Sequence, residues 1–404
     1  MKPEHFAAAE VARSPEEFRR NATLLFISTL TIMSGATISA SLPGIAARFA
    51  DVENVALLSR LVLTLPAVFI ALFSPAAGFL VDRFGRKPLM LFSLALFAVA
   101  GASGLVLDTL PGLLVGRAVL GIAVGGLMTA TTALVGDFFQ GAARDRYMGL
   151  QQAFVGVGGT IFLTGGGFLA EVHWRGPFLI YTVALLTLPA ALAFLPEPHR
   201  ARPAGPATAG EGDRLGGRAM ALLGLLFLAA AINMIAFYMI PTQLPFYLRA
   251  LGFGAPSLAG VAIGAGQIVG VVSALAFAPL RRRLGLVGLF GLGFTSAGIS
   301  YLLLWHAESY AAVLLAMTVS GICMGTIMPT FAASAMLLAP PALRGRISGL
   351  LVSGIFAGQF LSPIVSQPLV GSLGFGGAFA VAGAVTLAIG LAAFAACLLR
   401  SGHG

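Results

Sequence analysis

The segment best suited to mechanistic chemistry is a short charged run between two apolar stretches. It reads Gly78-Phe-Leu-Val-Asp82-Arg83-Phe-Gly85-Arg86-Lys87. The Asp82 carboxylate can meet the positive N-terminal end of a helix, and the Arg86 guanidinium can form a charge-assisted pair with an acidic group. Bonds of this kind can latch one conformation of a protein. The alternative is that the charges only orient a helix by a positive-inside bias, although that bias requires neither the aspartate nor the glycines.

A single arginine stands inside an apolar run, in the sequence Arg117-Ala-Val-Leu-Gly121-Ile-Ala-Val-Gly125. A buried cation in a membrane is costly, so such arginines generally face a cavity or a partner. Gly121 and Gly125 share one helix face, where they permit close packing. Arg117 is therefore a candidate for a role in coupling. The alternative is that its side chain extends to water, because it lies near the end of its apolar run.

Polar and aromatic side chains within the apolar runs are candidates for lining a substrate cavity. They are Thr31, Ser34, Gln151, Gln152, Phe154, Asn233, Tyr238, Gln243, Gln267 and Gln359. Sparse amides in an apolar lining suit neutral or lipophilic ligands that carry a few hydrogen-bonding groups. Hydrogen bonding between helices is the alternative role for each amide. Arg117 is the one cation that the sequence predicts to be buried. Arg60 stands near the end of an apolar run and is counted with the helix ends. A single buried cation argues against a strongly anionic substrate.

The elements that position these residues must be membrane-spanning helices. The chain has 404 residues, of which 58% are hydrophobic and 10% charged, and its mean hydropathy is +0.95. Such a chain needs lipid as its solvent, and long unbroken apolar runs select helices over a closed barrel. The formal charge of +9 lies in short clusters between these runs, so nucleic acid is not an expected partner. The histidines and cysteines are scattered, so neither a metal site nor an enzyme is expected.

Twelve apolar runs of roughly twenty residues can be placed along the chain. The first six lie at 22–45, 56–81, 88–107, 111–136, 147–170 and 176–195. The others lie at 219–248, 257–279, 286–305, 309–337, 347–370 and 375–399. These runs predict an N-terminal segment at 1–21, a six-helix bundle at 22–195, a Pro/Gly/Ala-rich linker at 196–218 and a second six-helix bundle at 219–399.

Lys and Arg are distributed unevenly between the two sets of loops. Most of the 24 lie at the N-terminus, in every second loop, in the linker and at the C-terminus. By the positive-inside rule, both termini and the linker are expected to face the cytoplasm, in a bacterial inner membrane.

A shift of 200 residues aligns the chain with itself. It superimposes Arg83 on Arg283, Gly85 on Gly285, Gly121 on Gly321, Gly125 on Gly325, Arg144 on Arg344, Arg146 on Arg346 and Gly149 on Gly349. Because each half has an even number of helices, both halves enter the membrane in the same direction. Such parallel repeats place a substrate site between them near the midplane. The expected fold is an all-α membrane protein with two pseudo-symmetric six-helix bundles.

The charged run at 78–87 has the pattern G-x-x-x-D-R-x-G-R-K, which resembles the cytoplasmic signature of the major facilitator superfamily. The likeness extends over essentially the whole chain through the twelve spans and the duplication. It implies that this loop controls cytoplasmic closure, with Asp137 as the acidic partner of Arg86. It also implies that the Arg117 motif is linked to proton transfer. No matching latch is expected in the second half, because Arg282 stands where the acid should be.

Two further segments, Ser41-Leu42-Pro43-Gly44 and 237–246, resemble the drug-efflux branches of the superfamily, the drug:proton antiporters. The resemblance implies a monomeric secondary active transporter that needs no cofactor. It would use the proton motive force and alternating access to export a small lipophilic organic compound or drug. However, no Asp or Glu falls in the middle of a predicted span, so Asp137 and Arg117 are the candidates for proton exchange. The alternatives are a carrier of a specific metabolite or siderophore-like molecule, and a non-transporting membrane sensor.

Overall fold

The fold is all-helical in the computed structural model, which describes residues 14–198, 216–340 and 343–401 and contains no strand among them. Eleven helices of this described part are long and apolar enough to cross a membrane. The last of them, Arg344–Leu399, holds two spans, because Gly374 interrupts it with φ 71° and ψ 177°. The described chain therefore has the twelve spans that the sequence predicts.

The first bundle contains six spans, labelled α1 to α6 in chain order. They are α1 Pro15–Arg48, α2 Val55–Phe84, α3 Arg86–Leu105, α4 Leu110–Phe138, α5 Gly141–Val172 and α6 Gly176–Phe194. α1 starts at Pro15, earlier than the predicted residue 22. The reason is local, because the Ser14 hydroxyl caps the helix by accepting a hydrogen bond from the Glu17 N–H at 3.2 Å.

The second bundle contains the spans α7 to α12. They are α7 Gly217–Ala250, α8 Pro256–Leu275, α9 Phe277–Trp305, α10 Tyr310–Leu338, α11 344–373 and α12 375–401. Of the predicted linker at 196–218, residues 199–215 lie outside the described residues, and α7 already begins at Gly217.

The 200-residue repeat extends from the sequence into the packing. Gly125 of α4 lies against the backbone of Ile70 in α2. In the second bundle, Gly325 of α10 lies against the backbone of Gly270 in α8. Both members of the second contact are 200 residues beyond those of the first. The two bundles are therefore copies in their helix contacts as well as in their helix order.

Replacing Gly325 with alanine is expected to destabilise the second bundle. A Cβ atom there would lie 2.5 Å from the Ala274 nitrogen and 2.6 Å from the Ser273 Cβ, so the helices must move apart. Overpacking of this kind costs about 1–3 kcal/mol, which should lower the midpoint of unfolding in SDS. Gly224→Ala is the matched control, because a Cβ there meets nothing within 4 Å. Equal midpoints for the two variants would contradict the packing argument.

The two bundles touch each other through α2 with the 344–401 helix and through α5 with α8. We call the end of the molecule that carries residues 82–87, 138–141 and 196–198 the linker end, and the other the opposite end. The bundles are hydrogen-bonded at the opposite end. There, the Ser39 hydroxyl donates to the Pro241 carbonyl, and Arg60 Nε donates to Gln243 Oε1 at 2.8 Å.

The same face of α2 has no close neighbour at the linker end. Gly78 follows Arg60 by 18 positions, or about five helical turns, so both residues lie on one face of α2. A Cβ atom at Gly78 would meet nothing within 4 Å, and Asp82, one turn further on, is exposed. This face of α2 therefore contacts the second bundle at the opposite end and is open at the linker end.

Candidate functional site

The charged run of the first bundle forms a compact cluster at the linker end. Arg86 Nε donates to Asp137 Oδ2 at 2.9 Å, which joins the start of α3 to the end of α4. Both side chains are partly exposed, at 15% and 25%. Because the pair is charge-assisted, it fixes the relative position of these two helix ends. The structure thus brings together the two residues that the resemblance pairs.

A second carboxylate, Glu197, belongs to this cluster and was not predicted. Its Oε1 accepts from the Arg86 backbone N–H at 2.8 Å, and its Oε2 accepts from the Lys87 N–H at 2.6 Å. These N–H groups lie in the first turn of α3, where they lack helical partners and the helix dipole favours a negative charge. Gly85, at φ 103°, makes room, since a Cβ there would lie 3.1 Å from Glu197 Cδ. The only sign of this contact in the sequence is a glutamate that directly follows the sixth predicted span.

The other residues of the charged run point away from the cluster. Asp82 and Arg83 are exposed, and Asp82 forms no hydrogen bond or ion pair with another residue of the described ranges. The Lys87 Nζ donates to the Leu192 carbonyl of α6 at 2.7 Å. The predicted contact between Asp82 and a helix N-terminus of the other half is therefore absent from the described residues in this conformation.

Arg117 is buried inside the first bundle and is 1% exposed. Its Nη2 donates to the Tyr181 hydroxyl at 2.8 Å, and that hydroxyl donates to the Met33 carbonyl at 3.1 Å. The guanidinium carbon lies 4.9 Å from the centre of the Tyr181 ring and 5.7 Å from that of Phe178. Its Nε and Nη1 have no partner among the described residues. This burial excludes extension of the side chain to water, and no acidic side chain in the described part of the chain pairs with Arg117.

An apolar cavity of about 140 Å³ lies between the two halves. Ile32 of α1 and Leu163 of α5 form its first-bundle wall. The remaining lining residues are Phe237, Tyr238, Ile240, Pro241, Ile263, Gly266, Gln267, Met317, Ser320 and Met324. Of the ten cavity candidates from the sequence, Tyr238 and Gln267 line this space. Aromatic and methionine side chains with one amide and two hydroxyls suit a lipophilic ligand.

Two further candidates lie close to this cavity. Asn233 lines a smaller adjoining pocket, and its Oδ1 accepts a weak hydrogen bond from Cys323 Sγ at 3.7 Å. Gln359 of α11 is buried next to Gly35 of α1, as is the Tyr238 hydroxyl of α7. The three helices therefore meet at Gly35, where there is no room for a side chain.

Most of the first-bundle candidates have structural partners. The hydroxyls of Thr31 and Ser34 donate to carbonyls of their own helix. Gln151 Nε2 donates to Ser28 Oγ at 2.8 Å, which joins α5 to α1. The candidates that are exposed on α5 are Gln152 and Phe154. None of the residues in this group lines the cavity described above.

Gln243 lies at the closed opposite end, where it is fully buried and binds Arg60. Arg60 stands near the start of its helix as predicted, but it is only 3% exposed, so the expectation that Arg117 is the one buried cation is wrong. The cause is tertiary, because Gln243 and Phe246 of α7 cover an arginine that stands near the start of its own span. The chain thus contains a second buried cation, and it lies between the halves.

Comparisons with known proteins identify a family and several proteins with similar sequences. A family model described as Major Facilitator Superfamily matches residues 24–350. Multidrug resistance protein 1 of Bacillus subtilis (strain 168) is 36% identical over 128 residues, which cover 31% of this chain and 33% of that protein. The chain thus matches about a third of that relative's length. The 3-(3-hydroxy-phenyl)propionate transporter of Escherichia coli (strain K12) is 27% identical over 338 residues, 80% of this chain and 81% of that one.

Solved structures show the same fold. A D-xylose-proton symporter superimposes with a TM-score of 0.75 at 18% identity, covering 93% of this chain and 97% of that one. At this identity the likeness concerns the fold alone. The predicted arrangement of two six-helix bundles is confirmed.

Proposed function

Because the chain belongs to the major facilitator superfamily, we propose that it is a proton-linked exporter of a small lipophilic organic compound. The protein is a transporter and not an enzyme. The observation that supports the proposal best is the apolar cavity between two bundles that are hydrogen-bonded to each other at the opposite end. Such a geometry suits alternating access, in which the bundles rock around a central site. The likeness to Multidrug resistance protein 1 supports an export role.

The proposal assigns the linker end to the cytoplasm of a bacterial inner membrane, because Lys and Arg concentrate there. The conformation described above is then open to the cytoplasm and closed to the outside. The protein works as a monomer, with the proton motive force as its energy source and no cofactor. Substrate enters the cavity from the linker end and leaves after the opposite end opens.

The charged cluster has a defined part in this cycle. The pair of Arg86 and Asp137, together with Glu197, joins α3, α4 and the segment after α6 into one unit. Asp82 is left exposed for closure of the linker end, when the N-terminal end of α11 near Arg344 approaches α2. A carboxylate at a helix N-terminus is then stabilised by the helix dipole. Proton coupling is assigned to Asp137, whose carboxylate can bind and release a proton, and to Arg117, which stays charged and acts as the buried cation of the coupling site.

The proposal is tested with inverted membrane vesicles that contain the protein and the neutral lipophilic dye N-phenyl-1-naphthylamine. An imposed proton gradient should drive dye movement, and a protonophore should abolish it. Asp82→Asn should lose most of this activity, whereas Asp51→Asn, an exposed acid at the opposite end that pairs with no residue of the described ranges, should retain it. Export is refuted if the gradient moves no dye, and the latch is refuted if Asp82→Asn transports normally.

A second candidate is carriage of a specific aromatic metabolite. The relative that matches 80% of the chain is a 3-(3-hydroxy-phenyl)propionate transporter, and Phe237 and Tyr238 line the cavity. A deletion strain distinguishes the candidates. Loss of resistance to several unrelated drugs supports export, whereas loss of growth on one aromatic acid supports metabolite uptake.

A further inference from the structure

A buried arginine holds the two bundles together at the opposite end. Arg60 of α2 donates from Nε to Gln243 Oε1 of α7 at 2.8 Å, and from Nη1 to the Ala56 carbonyl at 2.5 Å. Its guanidinium carbon lies 3.9 Å from the centre of the Phe246 ring. Gln243 is held in turn by Ser366 of α11, whose Oγ accepts from Nε2 at 2.9 Å. Arg60 thus lies at the contact between the two bundles.

Every group that touches this guanidinium is formally neutral. Its partners are an amide oxygen, a backbone carbonyl and an aromatic ring. The acids in the loop before α2, Asp51 and Glu53, are exposed, and no carboxylate of the described ranges pairs with Arg60. A cation that is 3% exposed and has no counter-ion attracts negative charge strongly, because little solvent screens it.

Arg60 contacts α7 within one helical turn of the cavity lining, on the side of the opposite end. Ile240 and Pro241 of α7 line the cavity, and Gln243 follows within one turn of the same helix. Gln243 belongs to the second bundle and Arg60 to the first. When the bundles separate at this end, Arg60 loses the Gln243 oxygen and faces the opened route with an unsatisfied N–H donor.

From this geometry we infer that Arg60 selects the charge of the transported compound, so that the carrier favours lipophilic organic anions over organic cations. This inference rests on the proposed function, and it narrows the substrate class. A carboxylate or sulfonate on an aromatic body replaces Gln243 as the partner of Arg60 in the opened state. A cationic group in the same place meets like-charge repulsion, and a neutral compound is accepted without preference.

The test measures binding to the full-length protein in nanodiscs, with radiolabelled 3-phenylpropan-1-ol as the neutral probe and empty nanodiscs as the blank. Two competitors share its phenylpropyl body, 3-phenylpropanesulfonate and 3-phenylpropyl-trimethylammonium. A charge-assisted hydrogen bond predicts that the sulfonate competes about tenfold better than the ammonium. Arg60→Gln should bring this ratio close to one while the alcohol still binds. Arg48→Gln is the matched control, because it removes an exposed arginine at the same end.

Each outcome decides a separate point. The inference is overturned if the sulfonate and the ammonium compete equally well in the unmodified protein. It is also overturned if the sulfonate keeps its advantage in Arg60→Gln. If Arg48→Gln removes that advantage as completely as Arg60→Gln does, the preference comes from the general surface charge, and the inference fails. If the alcohol itself does not bind, the proposed carriage of lipophilic compounds fails, and the inference fails with it.

Discussion

Arg117→Met is expected to abolish proton-driven transport while leaving the fold at least as stable. Two nitrogen atoms of the buried guanidinium, Nε and Nη1, have no partner among the described residues, and an unsatisfied buried donor costs about 1–3 kcal/mol. Replacing a poorly paired buried charge with an apolar side chain of similar volume is often neutral or stabilising. The second bundle already shows that methionine fits, because Met317 occupies the equivalent position and is 1% exposed. The midpoint of unfolding in SDS should therefore stay constant or rise.

The transport result expected for this variant follows from the role assigned to the charge. Arg117 keeps its proton, so its assigned role is that of a fixed charge on which proton coupling depends. Loss of such a group should lower gradient-driven dye movement by a factor on the order of 100, as for loss of a group needed for proton transfer. Arg249→Met, which removes an exposed arginine at the end of α7, should transport normally. Normal gradient-driven transport by Arg117→Met would remove this residue from the coupling mechanism. A sharp loss of stability would show instead that the cation is structural.

Gly78→Leu is expected to stop the transport cycle without impairing folding. In the conformation described here a Cβ atom at this position meets nothing within 4 Å, so we expect the variant to unfold at about the same SDS concentration as the unmodified protein. Closure of the linker end must bring the second bundle against this face of α2, since Arg60 on the same face already contacts α7. A leucine there would hold the ends apart. We expect transport to fall to the background of empty vesicles.

Gly224→Leu is the control for this prediction. Gly224 is also free of neighbours within 4 Å, but it lies on an exposed face of α7. Its leucine variant should fold and transport normally. Substantial transport by Gly78→Leu would mean that the linker end does not close on this face, and the proposed rocking motion would have to be abandoned.

The helices could be predicted well because hydropathy and glycine spacing are local signals. The break at Gly374, between the predicted spans 347–370 and 375–399, follows from the end of one apolar run and the start of the next. The start of α1 at Pro15 was missed because its first turns are charged, and a helix cap rather than hydrophobicity sets that boundary. The duplication was visible because a single shift aligned residues with strong conformational demands, such as Gly85 and Gly285, which both have positive φ.

The candidate site could be predicted only where a motif supplied the partner. Asp137 was placed beside Arg86 by resemblance, and the two side chains do touch. The sequence does not predict that Glu197 binds the start of α3 or that Arg60 binds Gln243, because these partners are 110 or more positions apart in the chain. Periodicity places a residue on a helix, but it does not say which helix packs opposite. For the same reason the sequence predicts Gln243 as a cavity residue, whereas in the structure it binds Arg60 at the opposite end.

The cavity takes nearly all of its lining from the second bundle, whereas the charged cluster at 82–87 belongs to the first. The repeat indicates that both bundles descend from one duplicated ancestor, so this asymmetry arose after the duplication. Under the proposed function, the two copies have since specialised. Mutations in α7, α8 and α10 can change which compounds are carried without altering the residues that govern the timing of the cycle. Evolution of the apolar cavity lining is therefore separable from evolution of the charged cluster, whereas Arg60 takes part both in substrate choice and in the contact between the bundles.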